Sequence, residues 1–146
     1  MNLNNINDRL IAQGINEEAN ILLTHARVAK VKATELLKKQ NYRLARESIL
    51  IANGFAFATD RLIRKQYTEA ISSETVRNKI EIVEKELSFF QSKITASTGF
   101  EMQHYFDHAQ KMLNRARENA NKNYLYVANE CINASQSALE KLKAIL

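Results

Sequence analysis

The sequence predicts an all-α fold, an up-down bundle of five long helices plus a short N-terminal helix, built by internal duplication of a helical hairpin. Three observations predict it. The 146 residues include no Pro and only three Gly, so the usual punctuation of turns and β-hairpins is missing. Apolar residues recur at i, i+3, i+4 and i+7 through most of the chain, which is typical of amphipathic helices. One sequence skeleton occurs twice, 83 residues apart.

The duplication pairs residues 18–63 with residues 101–146. Nine of the 46 aligned positions are identical, where random pairing gives roughly three. The identical pairs are Glu18/Glu101, His25/His108, Ala26/Ala109, Ala33/Ala116, Glu35/Glu118, Lys39/Lys122, Ala45/Ala128, Glu47/Glu130 and Ile49/Ile132. A helical hairpin cannot bury its apolar stripe alone, and a second copy supplies the missing surface. We therefore expect one helical-bundle domain over residues 1–146, with repeat one at about 3–71 and repeat two at about 72–146.

The first repeat is predicted to contain a short helix over residues 3–13, ended by Gly14, and then a hairpin. The first helix of the hairpin carries an apolar stripe over residues 19–37. The segment KKQNY then breaks the pattern, and Asn41 can turn the chain or cap the next helix. That next helix carries a stripe over residues 45–63.

The second repeat is predicted to begin with a helix capped by Ser72 or Ser73. Its apolar residues from 76 to 94 are spaced by 4, 3, 4, 3 and 4 residues, a heptad-like seam. Two further helices follow the segments ASTG and NKN, with stripes over residues 102–120 and 124–145. Short connections between helices predict antiparallel neighbours.

Four apolar residues lie beside or away from these stripes: Ile51, Phe57, Ile82 and Phe89. Helices in the middle of a bundle are contacted on more than one side, so we expect these residues to fill the core. The alternative is an interface with another chain, such as a homodimer seam.

The chain is basic, with a net charge of +5 and a pI near 9.4. Residues 1–71 hold eleven Lys or Arg against seven Asp or Glu, whereas residues 72–146 hold ten against nine. Such asymmetry indicates either an acidic or nucleic-acid partner or a solubilising surface. No apolar run approaches the roughly 18 residues of a membrane span, and the N-terminus lacks the pattern of a signal peptide. The single cysteine excludes an internal disulfide, so we expect a cytoplasmic protein.

The segment between the two helices of the first hairpin is the best candidate binding site. Four cationic residues surround this turn, with an aromatic residue among them: Lys38, Lys39, Tyr42, Arg43 and Arg46. Phosphate contacts use Lys and Arg, and an exposed aromatic ring can stack on an unpaired base. The pattern predicts either nucleic-acid or anion binding, or an ordinary solvated surface.

The metal candidate is the set Glu101, His104 and His108, which shares one flank of a helix. Glu-x-x-His is half of the motif of di-iron carboxylate bundles. The other half is missing, because His25 follows LLT and has no Glu three residues earlier. We therefore predict neither a metal site nor a cofactor.

The sequence also lacks a recognisable catalytic nucleophile. Cys131 lies on an apolar stripe, where a free cysteine usually acts as a small hydrophobe. Three scattered glycines cannot form a phosphate-binding loop. We expect a protein that is not an enzyme.

The pattern of a helix, then NY, then a helix with small residues resembles known helical hairpins through Tyr42, Ala45, Ala52 and Ala128. It is similar to tetratricopeptide-like hairpins, to microtubule-interacting-and-trafficking modules, to small archaeal helical domains of unknown function and to HEPN bundles. The resemblance covers the hairpins alone, and the period of 83 differs from the tetratricopeptide period of 34. Catalytic HEPN proteins carry an Arg four to six residues before a His, which this chain lacks.

These features together predict a non-enzymatic binding or scaffold module that presents a helical surface to a protein partner or to a second copy. The alternative is a nucleic-acid-binding protein that uses the basic turn around residues 38–46.

Overall fold

The structure, a computed structural model, describes residues 3–64, 71–95 and 98–145. These ranges contain five helices and no strand, which confirms the all-α prediction. The helices are α1 (Leu3–Lys38), α2 (Tyr42–Ile63), α3 (Ser73–Gln91), α4 (Phe100–Asn121) and α5 (Leu125–Ile145). The chain divides into two compact units, Met1–Ala70 and Ile71–Leu146. The single domain and the up-down order of all helices stay predictions.

The predicted short N-terminal helix is wrong. Helix α1 is continuous over 36 residues and passes through Gly14. Gly14 does not adopt the positive φ that ends many helices, because no glycine of the chain has positive φ. An interior glycine lowers helix stability by about 1 kcal/mol relative to alanine, which weakens a helix without terminating it.

The helix starts follow local capping rules, as predicted. The Asn41 side chain accepts a hydrogen bond from the backbone N–H of Leu44 at 3.4 Å. The Ser72 hydroxyl accepts one from the N–H of Thr75 at 3.1 Å, and Glu74 lies in the first turn of α3. A side-chain oxygen satisfies an N–H that has no partner within the helix, and an acidic residue there is favoured by the helix dipole.

The turn between α1 and α2 is a Schellman motif. The N–H of Asn41 donates to the carbonyl oxygen of Leu36 at 2.9 Å, and the N–H of Gln40 donates to that of Leu37 at 3.0 Å. Gln40 has a φ of 60°, the left-handed conformation that this motif requires. The motif satisfies the last carbonyl groups of α1 and reverses the chain direction.

The turn between α4 and α5 has the same geometry. The N–H of Tyr124 donates to the carbonyl oxygen of Asn119 at 2.8 Å, and that of Asn123 donates to Ala120 at 3.0 Å. Asn123 has a φ of 62°. Each atom pair lies 83 residues after its counterpart in the first turn.

The core of the first unit is formed by one face of α1 against one face of α2. Its buried apolar residues are Ala19, Leu22, Ala26, Ala33, Leu36, Leu44, Ala45, Phe55, Ala58 and Leu62. The ring centroids of His25 and Phe55 lie 5.3 Å apart. Each of these residues is 15 positions from Gln40, so the helices run antiparallel. The many alanines let the helix axes approach closely.

The second unit packs three helices together. The predicted α3 stripe is buried at Val76, Ile80, Val83, Leu87 and Phe90. Polar contacts join α3 to both of its neighbours in this unit. They are Arg117 Nε to Glu84 at 2.8 Å, Lys79 Nζ to Asn129 at 2.8 Å, and Lys143 Nζ to Glu86 at 3.3 Å. Helix α3 therefore lies against both α4 and α5.

Three of the off-stripe residues are exposed, which corrects the prediction that they fill the core. Phe57 is 66% exposed, Phe89 is 59% exposed and Ile82 is 54% exposed. Ile51 alone is partly buried. The helices of each unit cover one face of their neighbours, so these residues remain on the outer faces.

Candidate binding surface

The structure brings the five residues of the predicted basic site together around the α1–α2 turn. Lys38 is the last residue of α1, Lys39 lies in the turn and Tyr42 is the first residue of α2. Arg43 and Arg46 follow in the first turns of α2. All five are exposed, and the Tyr42 side chain is 65% exposed.

Two of these residues also suit a structural role. Lys38 and Lys39 lie at the C-terminal end of α1, where a cation is favoured by the carbonyl groups of the last turn. Within the described residues, neither side chain forms an ion pair with a carboxylate. Both ammonium groups are therefore presented to solvent beside Tyr42.

The predicted metal candidate does not come together as a site. In the ranges that the structure describes, no group of three or more His, Cys, Asp or Glu side chains is placed to hold a metal ion. Glu101 accepts a hydrogen bond from the hydroxyl of Tyr105 at 3.4 Å. The ring of His104 stacks near that of Phe100, with centroids 6.2 Å apart.

The third member of that set, His108, is a packing residue. Its Nε2 atom is buried and has no hydrogen-bond partner among the described residues. Burial lowers the pKa of its imidazole to about 4, and the nearby His104, Lys141, Lys111 and Arg115 lower it further. The ring is neutral at physiological pH, because the protonated form would place a charge where little water can solvate it.

Cys131 is fully buried in α5, as the sequence predicts. Burial raises the pKa of its thiol to about 12, Glu130 and Glu118 add to that increase, and Arg115 opposes it. Thiolate is the nucleophilic form of cysteine, so this thiol is inert in the folded chain.

A shallow depression of about 320 Å³ lies on the surface of α1. Its described lining comes from one helix: Thr24, Arg27, Val28, Val31, Lys32 and Glu35. Small-molecule sites are usually concave and enclose most of the ligand surface. A surface formed by a single helix does not enclose a ligand in this way.

The outer face of α2, opposite the face that contacts α1, carries a seam that the sequence analysis did not single out. The seam consists of Arg43, Leu50, Phe57 and Arg64, spaced by seven residues each. Leu50 is 58% exposed, and Phe57 is the most exposed large apolar residue in the described ranges. The seven-residue spacing opposite the predicted stripe is the pattern that could have revealed it.

Gly54 lies between the two apolar residues of this seam. It is exposed, and no atom lies within 4 Å of the position that a Cβ would occupy. Leu50 precedes it by four residues and Phe57 follows it by three, so all three lie on one side of the helix. The face therefore has a notch between two large side chains.

Family models, curated proteins and solved structures show no significant match to this chain. The resemblance to tetratricopeptide-like and related hairpins stays a prediction. Within the described part of the chain, no helix has both the length and the apolar character needed to cross a membrane. Function is therefore argued from the surfaces of the helices themselves.

Proposed function

We propose that the chain is a non-enzymatic helical module that binds a protein partner through the outer face of α2. The observation that carries the proposal is the exposure of Leu50 and Phe57, side by side on one face of a rigid helix. Contiguous apolar surface on a folded protein marks an interaction site more often than single exposed residues do.

The energetics favour a partner for this face. Full burial of a Leu or Phe side chain contributes about 1.5–3 kcal/mol each, so the two residues supply a useful part of a binding free energy. Aromatic residues and arginine are enriched at the energetic centres of interfaces. The seam combines both types, since Arg43 and Arg64 flank the two apolar residues.

The chemistry of the interior supports a binding role over a catalytic one. The Cys131 thiol is buried and protonated, and the His108 imidazole is buried and neutral. A catalytic nucleophile or base must reach its substrate, and these two groups are withdrawn from the surface.

A photo-crosslinking amino acid at position 57, introduced in the cells of the source organism, tests the proposal. Irradiation should produce a crosslinked species that protease destroys and nuclease does not. The matched control places the same amino acid at position 140 of α5, where the Glu140 side chain is 71% exposed. A crosslink to nucleic acid, or equal protein crosslinking at both positions, contradicts the proposal.

A second candidate function is nucleic-acid binding through the basic turn. The supporting observation is that Lys38, Lys39 and Arg46 are exposed around the exposed ring of Tyr42. In this arrangement the cations contact phosphates, and the Tyr42 ring stacks on an unpaired base.

Single-stranded RNA and duplex DNA test this candidate at about 0.05 and 0.2 M salt, where phosphate-driven affinity falls by orders of magnitude. Changing Lys38, Lys39, Arg43 and Arg46 to Glu should abolish binding. Tyr42→Ala should weaken binding to the single strand and leave duplex binding unchanged. No binding at low salt contradicts the candidate.

We also infer that the two hairpins arose by internal duplication and that the protein acts in the cytoplasm. Support for duplication comes from turn hydrogen bonds that recur at the same 83-residue offset as the sequence identities. A chain in which residues 121–124 replace residues 38–41 should melt within a few degrees of the native protein. A large loss of stability contradicts equivalence. The single cysteine supports a cytoplasmic location, which fluorescence microscopy of the tagged protein tests.

A further inference from the structure

We propose that the outer face of α2 binds an acidic amphipathic helix of a partner protein. An apolar side chain of that helix fills the notch at Gly54, and its carboxylates pair with the arginines at both ends of the seam. This inference rests on the proposed function, because it specifies the chemistry of the partner.

The spacing of the seam matches another helix. Seven residues rise about 10.5 Å along an α-helix, so Arg43, Leu50, Phe57 and Arg64 extend over about 31 Å on one side of α2. A seven-residue apolar repeat is the pattern by which two helices pack along their length. Two apolar positions in the centre and a cation at each end define one complementary pattern, which is an apolar centre with acidic ends.

The notch gives a reason for a glycine at position 54. An exposed interior glycine lowers helix stability by about 1 kcal/mol relative to alanine. Gly54 has helical φ, and no described atom of this chain lies close to it. Leu50 and Phe57 form the walls of a hole that accepts one side chain from a crossing helix.

The charge of the face selects an acidic partner. The residues on and beside the seam include four arginines, Arg43, Arg46, Arg61 and Arg64, and two acids, Glu47 and Asp60. Asp60 already pairs with Arg64 at 3.0 Å. The face therefore has a net charge of +2, which attracts carboxylates and repels another basic surface.

The same charges disfavour a second copy of this chain. An antiparallel pairing of two α2 helices centred near Gly54 places Leu50 opposite Phe57 of the other copy. It also places Arg43 opposite Arg64 and Arg46 opposite Arg61 at each end. Like charges across an interface are destabilising, so the apolar centre pairs well while both ends repel.

The probe for the test is a synthetic 22-residue helical peptide with leucines at seven-residue spacing and glutamates flanking them. Its affinity for the full-length protein is measured by fluorescence anisotropy at about 0.05 and 0.2 M salt. The control peptide has the same sequence with every Glu replaced by Lys. We expect the acidic peptide to bind at least tenfold more tightly, and its affinity to fall as salt rises.

Two variants locate the binding. Gly54→Leu fills the notch and raises helix propensity, so a loss of binding cannot come from unfolding. Phe57→Ser removes one wall. Each should weaken binding by roughly tenfold or more, in the range expected of residues that dominate an interface. Phe89→Ser in α3 is the matched control, because Phe89 is exposed to a similar degree, and it should leave the affinity unchanged.

Several outcomes overturn the inference. Equal binding of both peptides, or unchanged binding by Gly54→Leu, removes the acidic helix as the ligand. A concentration-dependent dimer that Phe57→Ser disrupts assigns the face to a second copy. Binding to phosphatidylserine vesicles that Phe57→Ser abolishes, without peptide binding, assigns it to a membrane surface. A protein crosslink at position 57 without peptide binding refutes this inference alone. Absence of that crosslink refutes the proposed function.

Discussion

Gln40 and Asn123 occupy the same position in two separate hairpin turns, 83 residues apart. Both have φ near +60°, and in each turn the following residue donates its N–H to the carbonyl oxygen five residues earlier. A β-carbon disfavours this left-handed conformation, which glycine adopts freely. Each turn therefore holds a residue that is less stable there than glycine.

Gln40→Gly should stabilise the first hairpin by about 1 kcal/mol, because it removes the steric penalty at positive φ. Asn123→Gly should stabilise the second by less, since Asn tolerates this conformation better than Gln does. Chemical denaturation followed by circular dichroism measures both. Gln40→Ala is the control, because it keeps the β-carbon and should leave the midpoint nearly unchanged. A larger gain for Asn123→Gly contradicts the steric explanation.

A buried hydroxyl links α4 and α5. The Ser135 hydroxyl donates a hydrogen bond to the carbonyl oxygen of Ala109 at 2.7 Å, and Ser135 is fully buried. Ser135→Ala should lower the free energy of unfolding by about 1 kcal/mol, the net contribution of a typical hydrogen bond. Ser137→Ala, at an exposed position of the same helix, should change it little. Equal effects of the two substitutions contradict a specific role for this bond.

Acid should destabilise the second unit through His108. Its pKa is about 4 in the folded chain, against an ordinary value of 6.5 in the unfolded chain. Between these values the unfolded chain binds a proton that the folded chain does not, so stability falls as pH falls. The stabilisation is fully present above pH 6.5, and its loss reaches about 3 kcal/mol near pH 4.

Denaturation at several pH values measures this contribution. His108→Gln has no titrating group at the position and should therefore lose less stability than the native protein between pH 6.5 and 4. Its absolute stability at pH 7 serves only as the reference for each series. Parallel pH curves for the two proteins would assign the acid sensitivity to other groups.

Cys131 should resist thiol reagents in the folded protein. Raising the thiol pKa by about three units reduces the thiolate fraction roughly a thousandfold, and burial also blocks access. The control is an exposed cysteine, made by Ser137→Cys together with Cys131→Ala, which should react at the rate of a free thiol. Rapid labelling of Cys131 without denaturant would show that α5 opens frequently.

The local features of this fold were predictable because each depends on neighbouring residues. Capping by Asn41 and Ser72 needs only a short polar side chain at a helix start. The five buried positions of α3 follow from a single regular stripe. The basic turn is brought together for the same reason, because its residues are sequence neighbours across one turn.

Gly14 shows where a local rule failed. Glycine ends a helix when it adopts positive φ and lets the chain turn back on the last carbonyls. At Gly14 the helical hydrogen bonds continue instead. In contrast, α1 ends at a turn in which Gln40 adopts the left-handed conformation, which the residue type does not indicate.

The sequence by itself determined that the chain is helical, where its hairpins turn and which cations surround the first turn. Only the tertiary structure decided which side of α2 faces α1. Ile49 and Ile63 lie on the predicted stripe and are exposed, whereas Ser48 and Ala58 are buried. The apolar residues of α2 occupy a wider arc than one neighbouring helix can cover, so packing against α1 selects part of that arc. The remainder, with Leu50 and Phe57 on the outer face, is left available for another molecule.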